Sequence, residues 1–139
     1  MPITLNPYLN FRGNAREAMG FYEGVFGGTL NVATYADYHA ASDPSENDLV
    51  MHADLEAPGG IRFMGADVPT KMEFSQGTND FSMSLSGEDE TELRGFFDRL
   101  SDGGAITMPL EKAPWGDTFG MCTDRFGINW LVNITAPTG

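Results

Sequence analysis

The sequence contains one structural unit twice, and this repeat limits the folds open to the chain more than any other feature. The segment Glu-Ala-Met-Gly-Phe-Tyr that begins at Glu17 corresponds to Glu-Leu-Arg-Gly-Phe-Phe beginning at Glu92. Each copy follows a signal for the start of a helix, and each precedes a double glycine, at 27–28 and 103–104. Such repetition indicates two related supersecondary units, and we expect a site between the two halves.

The first half predicts a strand, a helix and three further strands. Residues 3–11 have an extended pattern, and Asn14 with Glu17 forms a capping box that starts the helix. Apolar residues recur at helical spacing until Gly27, a residue suited to ending a helix. Residues 29–35, 49–56 and 61–66 are predicted strands, and the polar segment 36–48 is a predicted loop.

The second half predicts the same order. Its helix begins with a capping signal formed by Asp89 and Glu92, and its predicted strands are 80–86, 105–110, 119–123 and 129–134. The chain is therefore predicted to be one α+β domain, residues 1–139. It consists of two β-α-β-β-β modules, 1–68 and 78–136, joined by a linker at 69–77.

Charge and composition exclude several classes of partner. The net charge of −12 argues against nucleic acid and anionic membranes, because phosphate groups would be repelled. No apolar run approaches the length of a membrane span, and no secretory signal opens the chain. The single cysteine, Cys122, excludes an intrachain disulfide framework and is expected to be a buried apolar residue rather than a nucleophile. We expect a soluble, cytoplasmic protein.

The two-module pattern resembles the vicinal oxygen chelate superfamily, which includes glyoxalases, bleomycin-resistance proteins and dioxygenases. Within it, the chain is most similar to the PhnB-like proteins, whose relatives often carry a 3-demethylubiquinone methyltransferase label. The residues that carry this resemblance are Pro7-Tyr8-Leu9, Phe11, Gly13-Asn14, Ala18, Phe21-Tyr22, His52-Ala53, Trp115-Gly116, Phe119-Gly120, Thr123 to Gly127, Trp130 and Asn133. The resemblance implies two modules whose sheets curl into a cup, and a homodimer.

The resemblance also allows a test for a metal site. Members that use metal place His, Gln or Glu ligands on the first and last strands of each module. The matching positions here hold Pro7, Met64, Ser82 and Leu131, none of which is such a ligand. The sequence therefore predicts no metal and no cofactor.

His52 is the candidate catalytic residue. Of the two histidines, His39 lies in the polar loop and is expected to be solvated. His52 lies on a predicted strand, either as a partly buried structural residue or as a group that contacts substrate or transfers a proton. Because residues two apart on a strand share a face, Asp54 is a candidate for orienting its imidazole.

A ligand-binding surface is predicted from aromatic and methionine residues together with His52. Trp115 is either a lid on the core or an aromatic wall, whereas Trp130 fits a core position or a binding one. Tyr8 presents its hydroxyl to a cavity or holds the sheet together. Methionines line a cavity or fill it. The predicted ligand-binding residues are Tyr8, His52, Met64, Met83, Trp115 and Trp130.

These observations predict a PhnB-like protein that binds a small, partly apolar molecule, with no assignable reaction. No glycine-rich phosphate loop and no cofactor-binding α/β unit is found in the sequence, which disfavours methyl transfer. Two alternatives stay open. One is a metal-dependent lyase, isomerase or dioxygenase with non-standard ligands, and the other is a drug-sequestering resistance protein.

Overall fold

The structure is a computed structural model that describes residues 5–75 and 81–136. The chain divides into two compact units, the first ending at Ser75 and the second formed by the residues after it. Each unit contains a four-stranded mixed sheet with one helix packed against it, as the repeat predicts. No helix in 5–75 or 81–136 is long and apolar enough to cross a membrane.

The first unit has the predicted order of one strand, one helix and three strands. The elements are β1 (Tyr8–Phe11), α1 (Ala15–Phe26), β2 (Thr29–Thr34), β3 (Val50–Ala57) and β4 (Ile61–Asp67). The strand order in the sheet is β1-β4-β3-β2; the edge strand β1 is parallel to β4, and the other pairs are antiparallel. The first strand is shorter than predicted, since Leu5, Asn6 and Pro7 are not in a strand.

The elements of the second unit are β5 (Met83–Gly87), α2 (Glu90–Ser101), β6 (Ala105–Lys112), β7 (Thr118–Thr123) and β8 (Asn129–Ile134). They repeat the topology of the first unit with the order β5-β8-β7-β6, and β5 is parallel to β8. β5 begins later than the predicted strand 80–86, whose first residue lies outside the described part, and β6 runs two residues beyond its predicted end.

Each core lies between the helix and one face of its sheet. In the first unit, Phe63 of β4 makes edge-to-face contacts with Tyr22 and Phe26 of α1, at ring-centroid distances of 5.4 and 6.1 Å. In the second unit, the apolar stripe of α2 is buried, as its helical spacing predicts. The buried residues of that stripe are Leu93, Phe96, Phe97 and Leu100.

The two double glycines have a structural reason beyond ending a helix. Gly27 has a φ of 76°, which only glycine adopts readily. A side chain on the next residue, Gly28, would place its Cβ 2.1 Å from the Glu56 carbonyl oxygen, and one on Gly104 would lie 2.0 Å from that of Thr123. The second glycine of each pair therefore allows the strand after the helix to pass close to its neighbour.

One predicted helix cap is wrong and the other is confirmed. The Asn14 side chain forms no capping hydrogen bond to α1. Instead, Asp67 at the end of β4 is buried there, and its Oδ1 accepts a hydrogen bond of 2.9 Å from the Ala15 amide. In α2, Asp89 accepts from the Glu92 amide at 3.0 Å, as predicted.

The polar segment 36–48 is not wholly irregular, because it contains a short 3₁₀ helix, Pro44–Glu46, whose last side chain is buried. Glu46 is only 1% exposed. Its carboxylate accepts hydrogen bonds from the Ser42 amide and from both the amide and the hydroxyl of Thr70. This segment is therefore attached to the residues that follow β4.

The described part of the predicted linker, residues 69–75, is bonded to the first unit. Besides the contact between Thr70 and Glu46, Arg12 donates hydrogen bonds to the carbonyl oxygens of Pro69 and Met72. The Arg12 guanidinium also lies over the Phe74 ring, 5.9 Å from its centroid.

Candidate functional site

The candidate site is built on the helix-distal face of the first sheet, the face that points away from α1. Strand alternation assigns this face, because Leu9 and Phe11 of β1 are buried while Tyr8 is 43% exposed. On β4, a Cβ added to Gly65 would lie 3.1 Å from Sδ of Met19 in α1, so Gly65 faces the helix and the neighbouring residue Met64 points the other way.

The register of the sheet aligns four side chains on this helix-distal face. Tyr8 of β1 pairs with Met64 of β4, and Met64 pairs with Asp54 of β3. Asp54 in turn pairs with Asn31 of β2. Because directly paired residues lie on the same face, a phenol, a thioether, a carboxylate and an amide form one row across the sheet.

Tyr8 and His52 come together on this face although they are 44 residues apart in sequence. The Tyr8 hydroxyl lies 3.3 Å from Nδ1 of His52, and the two rings are tilted by 37° at a centroid distance of 5.8 Å. Burial raises the pKa of the Tyr8 phenol, which therefore keeps its proton at neutral pH. With the phenol as donor, Nδ1 accepts and the imidazole hydrogen lies on Nε2, where it can be donated to a ligand.

The predicted orienting pair of His52 and Asp54 is wrong. The Asp54 carboxylate is held by Arg62 through two hydrogen bonds, from Nε to Oδ1 at 3.2 Å and from Nη2 to Oδ2 at 3.1 Å. Glu56 lies 3.5 Å from the same guanidinium. The fork-like guanidinium binds a carboxylate at two points, and for this reason Asp54 pairs with Arg62 on the adjacent strand.

Two of the other predicted binding residues lie on the helix-facing side of the second sheet. Met83 of β5 pairs with Trp130 of β8. Trp130 is 1% exposed, and its Nε1 donates a hydrogen bond of 2.9 Å to Oδ2 of Asp124. Both residues thus lie on the face that packs on α2. Of the two roles predicted for Trp130, core and binding, this position is the core one.

Trp115 lies in the turn between β6 and β7 and is 65% exposed. Its ring contacts Phe119 edge to face at a centroid distance of 6.0 Å. Of the six predicted ligand-binding residues, the structure brings Tyr8, His52 and Met64 together on one face. It places the other three in the second unit.

The residues at the expected ligand positions, on or next to the parallel strand pairs, do not fit a metal centre of the superfamily type. Pro7 and Ser82, expected at ligand positions, precede β1 and β5. Across the parallel pairs, Met64 lies next to Tyr8 and Leu131 lies next to Ser84. The Asp54 carboxylate on the other side of Met64 is held by Arg62. A thioether, an aliphatic chain, a phenol and a hydroxyl are poor donors for a divalent cation. Among the residues that the structure describes, no three His, Cys, Asp or Glu side chains are close enough to hold a metal.

Cys122 is buried, as predicted. Burial, with a smaller contribution from the negative charge of Asp124, raises the pKa of its thiol to about 11. Because the thiolate is the reactive form, Cys122 is not a nucleophile at neutral pH.

Sequence reasoning missed Arg62 and Asn31 of this face. Alternation along β3 and β4 was the available signal, since it places Asp54, Arg62 and Met64 on one side. Sequence reasoning also gave no sign of the role of Asp67, because no local pattern indicates a helix cap that is contributed by a distant strand.

The sequence matches a known protein family over nearly its whole length. Residues 4–133 match the family described as 3-demethylubiquinone-9 3-methyltransferase. The protein YjdN of Escherichia coli is 28% identical over 143 residues, covering 95% of each chain.

Solved structures agree with this assignment. Protein PA1353 from Pseudomonas aeruginosa has a TM-score of 0.82 and 35% identity, covering 98% of this chain and all of the other. A protein from Bacillus cereus, described as "Putative 3-demethylubiquinone-9 3-methyltransferase, PhnB protein", has a TM-score of 0.76 and 29% identity, covering 96% of this chain and 100% of the other.

The fold is shared more widely. A glyoxylase/bleomycin resistance protein/dioxygenase domain from Frankia has a TM-score of 0.65 at 16% identity, covering 96% of this chain and 98% of the other. The predicted α+β fold is thereby confirmed. The chain has the fold of this glyoxylase/bleomycin resistance protein/dioxygenase domain, and it belongs to the 3-demethylubiquinone-9 3-methyltransferase family.

Proposed function

We propose that this protein binds a small, partly apolar molecule on the helix-distal face of the first sheet. The observation that carries the proposal is the Tyr8–His52 pair, a hydrogen-bonding couple on a face where Tyr8 is 43% exposed. A few placed polar groups beside apolar surface are typical of small-molecule sites. Met64, paired with Tyr8, supplies adaptable apolar contact.

The chemistry of this face describes the ligand. With Tyr8 donating to Nδ1, the His52 Nε2–H is a donor that suits a carbonyl or hydroxyl oxygen. The positive charge of Arg62 is already matched by Asp54 and Glu56, so a strongly anionic ligand gains little there. The net charge of −12 further opposes polyanions. A neutral ligand with one polar oxygen and an apolar body fits best.

Methyl transfer does not fit the described units, despite the name of the family. Nucleotide-like cofactors bind where a free helix N-terminus faces the carboxyl ends of parallel strands. Here the first amide of α1 is bonded to Asp67, and the Glu92 amide in the first turn of α2 is bonded to Asp89. The only parallel neighbours in the described sheets are β1 with β4 and β5 with β8. We therefore propose binding without a methyl-transfer step.

Two further parts of the proposal concern assembly, which the family resemblance implies, and location, which the cysteine usage suggests. We infer a homodimer, and we infer that it is located in the cytoplasm, because a free, buried cysteine such as Cys122 is typical of a reducing compartment. Light scattering on the purified protein measures the oligomeric state. Fractionation of the native host shows in which compartment the protein is found.

The proposed function is tested by a thermal-shift screen of neutral small molecules that carry a carbonyl or hydroxyl group. A ligand that binds the folded state raises the melting temperature. Compounds that do so are then titrated into wild type, Tyr8→Phe and His52→Asn. Because each variant removes one hydrogen bond from the site, we expect binding to weaken about tenfold in each.

The matched control is Tyr38→Phe, which removes the hydroxyl of another exposed tyrosine. This variant should bind as wild type does. Equal affinities for wild type, Tyr8→Phe and His52→Asn would show that the compounds bind elsewhere and would refute the assignment of the face. A stoichiometric divalent ion in protein purified without chelator would instead support the metal-dependent alternative.

A further inference from the structure

The turn that carries Trp115 is fixed although its indole is exposed. The Ala113 amide donates to the Asp117 carbonyl at 2.6 Å, and the Gly116 amide donates to the Ala113 carbonyl at 2.9 Å. Gly116 has a φ of 104°, a conformation that glycine allows at little cost. These bonds hold the tryptophan backbone in one tight turn.

Asp117 attaches the same turn to the end of β8. Its Oδ1 accepts from the Ala136 amide at 2.8 Å, and its Oδ2 accepts from Nδ2 of Asn133 at 3.1 Å. The turn that carries the exposed indole is thus held by its own backbone and by the Asp117 side chain. Binding there therefore requires little ordering of the backbone.

The neighbouring side chains form a polar and aromatic row on the helix-distal face of the second sheet, the face that points away from α2. Phe119 of β7 pairs with Glu111 of β6 on one side and with Asn133 of β8 on the other. Paired residues share a face, so Glu111 lies on the same face as Phe119, whose ring Trp115 contacts. Lys112, the next residue, points to the opposite face.

Trp130 shows what a structural tryptophan looks like in the same unit. It is buried and its indole nitrogen is bonded to Asp124. Trp115 is exposed, and within residues 5–75 and 81–136 its ring contact is the edge-to-face one with Phe119. Core packing therefore does not account for it.

We propose that Trp115, Phe119 and Glu111 form a binding site for a planar aromatic cation. The flat indole offers a stacking surface, its π face attracts positive charge, and Glu111 supplies a compensating carboxylate. The net charge of −12 of the chain also favours a positively charged ligand. This site goes beyond the proposed function, because it uses none of the residues Tyr8, His52 and Met64.

The test is calorimetric titration of wild type with proflavine, a planar aromatic cation. Trp115→Ala removes the stacking surface and should weaken binding about tenfold, whereas Trp115→Phe keeps a ring and should stay within about threefold of wild type. Glu111→Gln removes one charge and should weaken binding about threefold, with a smaller dependence on salt.

The matched controls are Tyr38→Ala and Glu73→Gln, which remove an exposed ring and an exposed charge from the first unit. Both should bind proflavine within about twofold of wild type, as should Tyr8→Phe. Circular dichroism of each variant checks folding. If Trp115→Ala does not fold, Trp115→Phe and Glu111→Gln still decide the matter.

Three results would overturn this proposal. One is no binding of proflavine by wild type at millimolar concentration. Another is equal loss of binding in the Tyr38→Ala or Glu73→Gln controls, which would mean general attraction to an acidic protein. The third is equally tight binding of 9-anthracenecarboxylate, a planar anion that Glu111 should repel. None of these results bears on the Tyr8–His52 face, so the two proposals fail separately.

Discussion

Three carboxylates are buried in the described part of the chain, and each one accepts hydrogen bonds from backbone amides. They are Glu46, Asp67 and Asp124. Asp67 bonds the Ala15 amide at the start of α1 and the Val50 amide at the start of β3, both at 2.9 Å. A buried charge is tolerated when its oxygens are fully bonded in this way. Asp67 therefore fixes three elements of the first unit at one point.

Asp67→Asn tests this role. The amide replaces one acceptor oxygen with a donor, so one backbone N–H loses its partner inside the core. We expect the free energy of unfolding to fall by about 3 kcal/mol. Urea denaturation measures it, and the exposed Asp48→Asn serves as a control that should change stability by less than about 0.5 kcal/mol. Equal stability of both variants would contradict the role of Asp67.

Individual residues of the site could be predicted from the sequence, but their contacts could not. His52 and Tyr8 were identified as candidate binding residues, because their types and strand positions are visible in the sequence. Their contact at 3.3 Å, and the contact between Asp54 and Arg62, depend on strand register. Register follows from the pairing of β1, β4 and β3, which the sequence alone does not determine.

At the scale of elements, the two helices begin in different ways. α2 is capped locally by Asp89, one residue before the helix, and this cap was predicted. α1 is capped by Asp67, which lies 52 residues from the amide that it bonds. A local rule therefore identified Asn14 for a function that a distant, buried carboxylate carries out.

Alanine substitutions distinguish the two starts. Asp89→Ala removes a capping hydrogen bond and should lower the free energy of unfolding by about 1 kcal/mol. Asn14→Ala removes no such bond and should cost less than about 0.5 kcal/mol. Thermal and urea unfolding measure both, and a larger loss for Asn14→Ala than for Asp89→Ala would contradict the assignment of the caps.

Glu46 joins two segments that the sequence presents as loop and linker. Hydrogen bonds from the side chain and backbone of Thr70, and then from the Ser42 amide, lower the pKa of Glu46 from 4.5 to about 2. A carboxyl with a lowered pKa in the folded state stabilises that state above its unfolded pKa, near 4.5. This contribution is lost as the pH falls towards 2.

Glu46→Gln provides the corresponding prediction. Wild type should be more stable than the variant at pH 7, and the difference should shrink steadily between about pH 5 and pH 2. Unfolding curves over this range measure the difference, and Thr70→Val, which removes one donor, should show a smaller effect in the same direction. A difference that does not change with pH would show that the carboxylate is not held in this way.

At the scale of the molecule, the repeat predicted most of the architecture. Both units have the order β-α-β-β-β, and Met64 pairs with Tyr8 as Leu131 pairs with Ser84. The double glycines also serve the same purpose in both units. These features follow from local patterns that occur twice, so each copy supports the interpretation of the other.

The site was predicted less completely than the fold. Sheet alternation divides the six candidate residues, because Met83 and Trp130 face α2 while Tyr8 and Met64 face away from α1. Sequence alone treats the six candidate residues as one binding surface. The assignment of each to a face depends on where a strand begins, and β5 begins later than its pattern predicts.

The most direct test of the proposed binding face is the NMR spectrum of the two histidines. The ¹⁵N-labelled protein is titrated with the compound that gives the largest stabilisation in the thermal-shift screen, and the imidazole resonances are followed. His39 lies in an exposed segment and serves as an internal control. We predict that the Nε2 resonance of His52 shifts with saturation while those of His39 stay in place. Unchanged His52 resonances at full saturation would contradict binding at the Tyr8–His52 face.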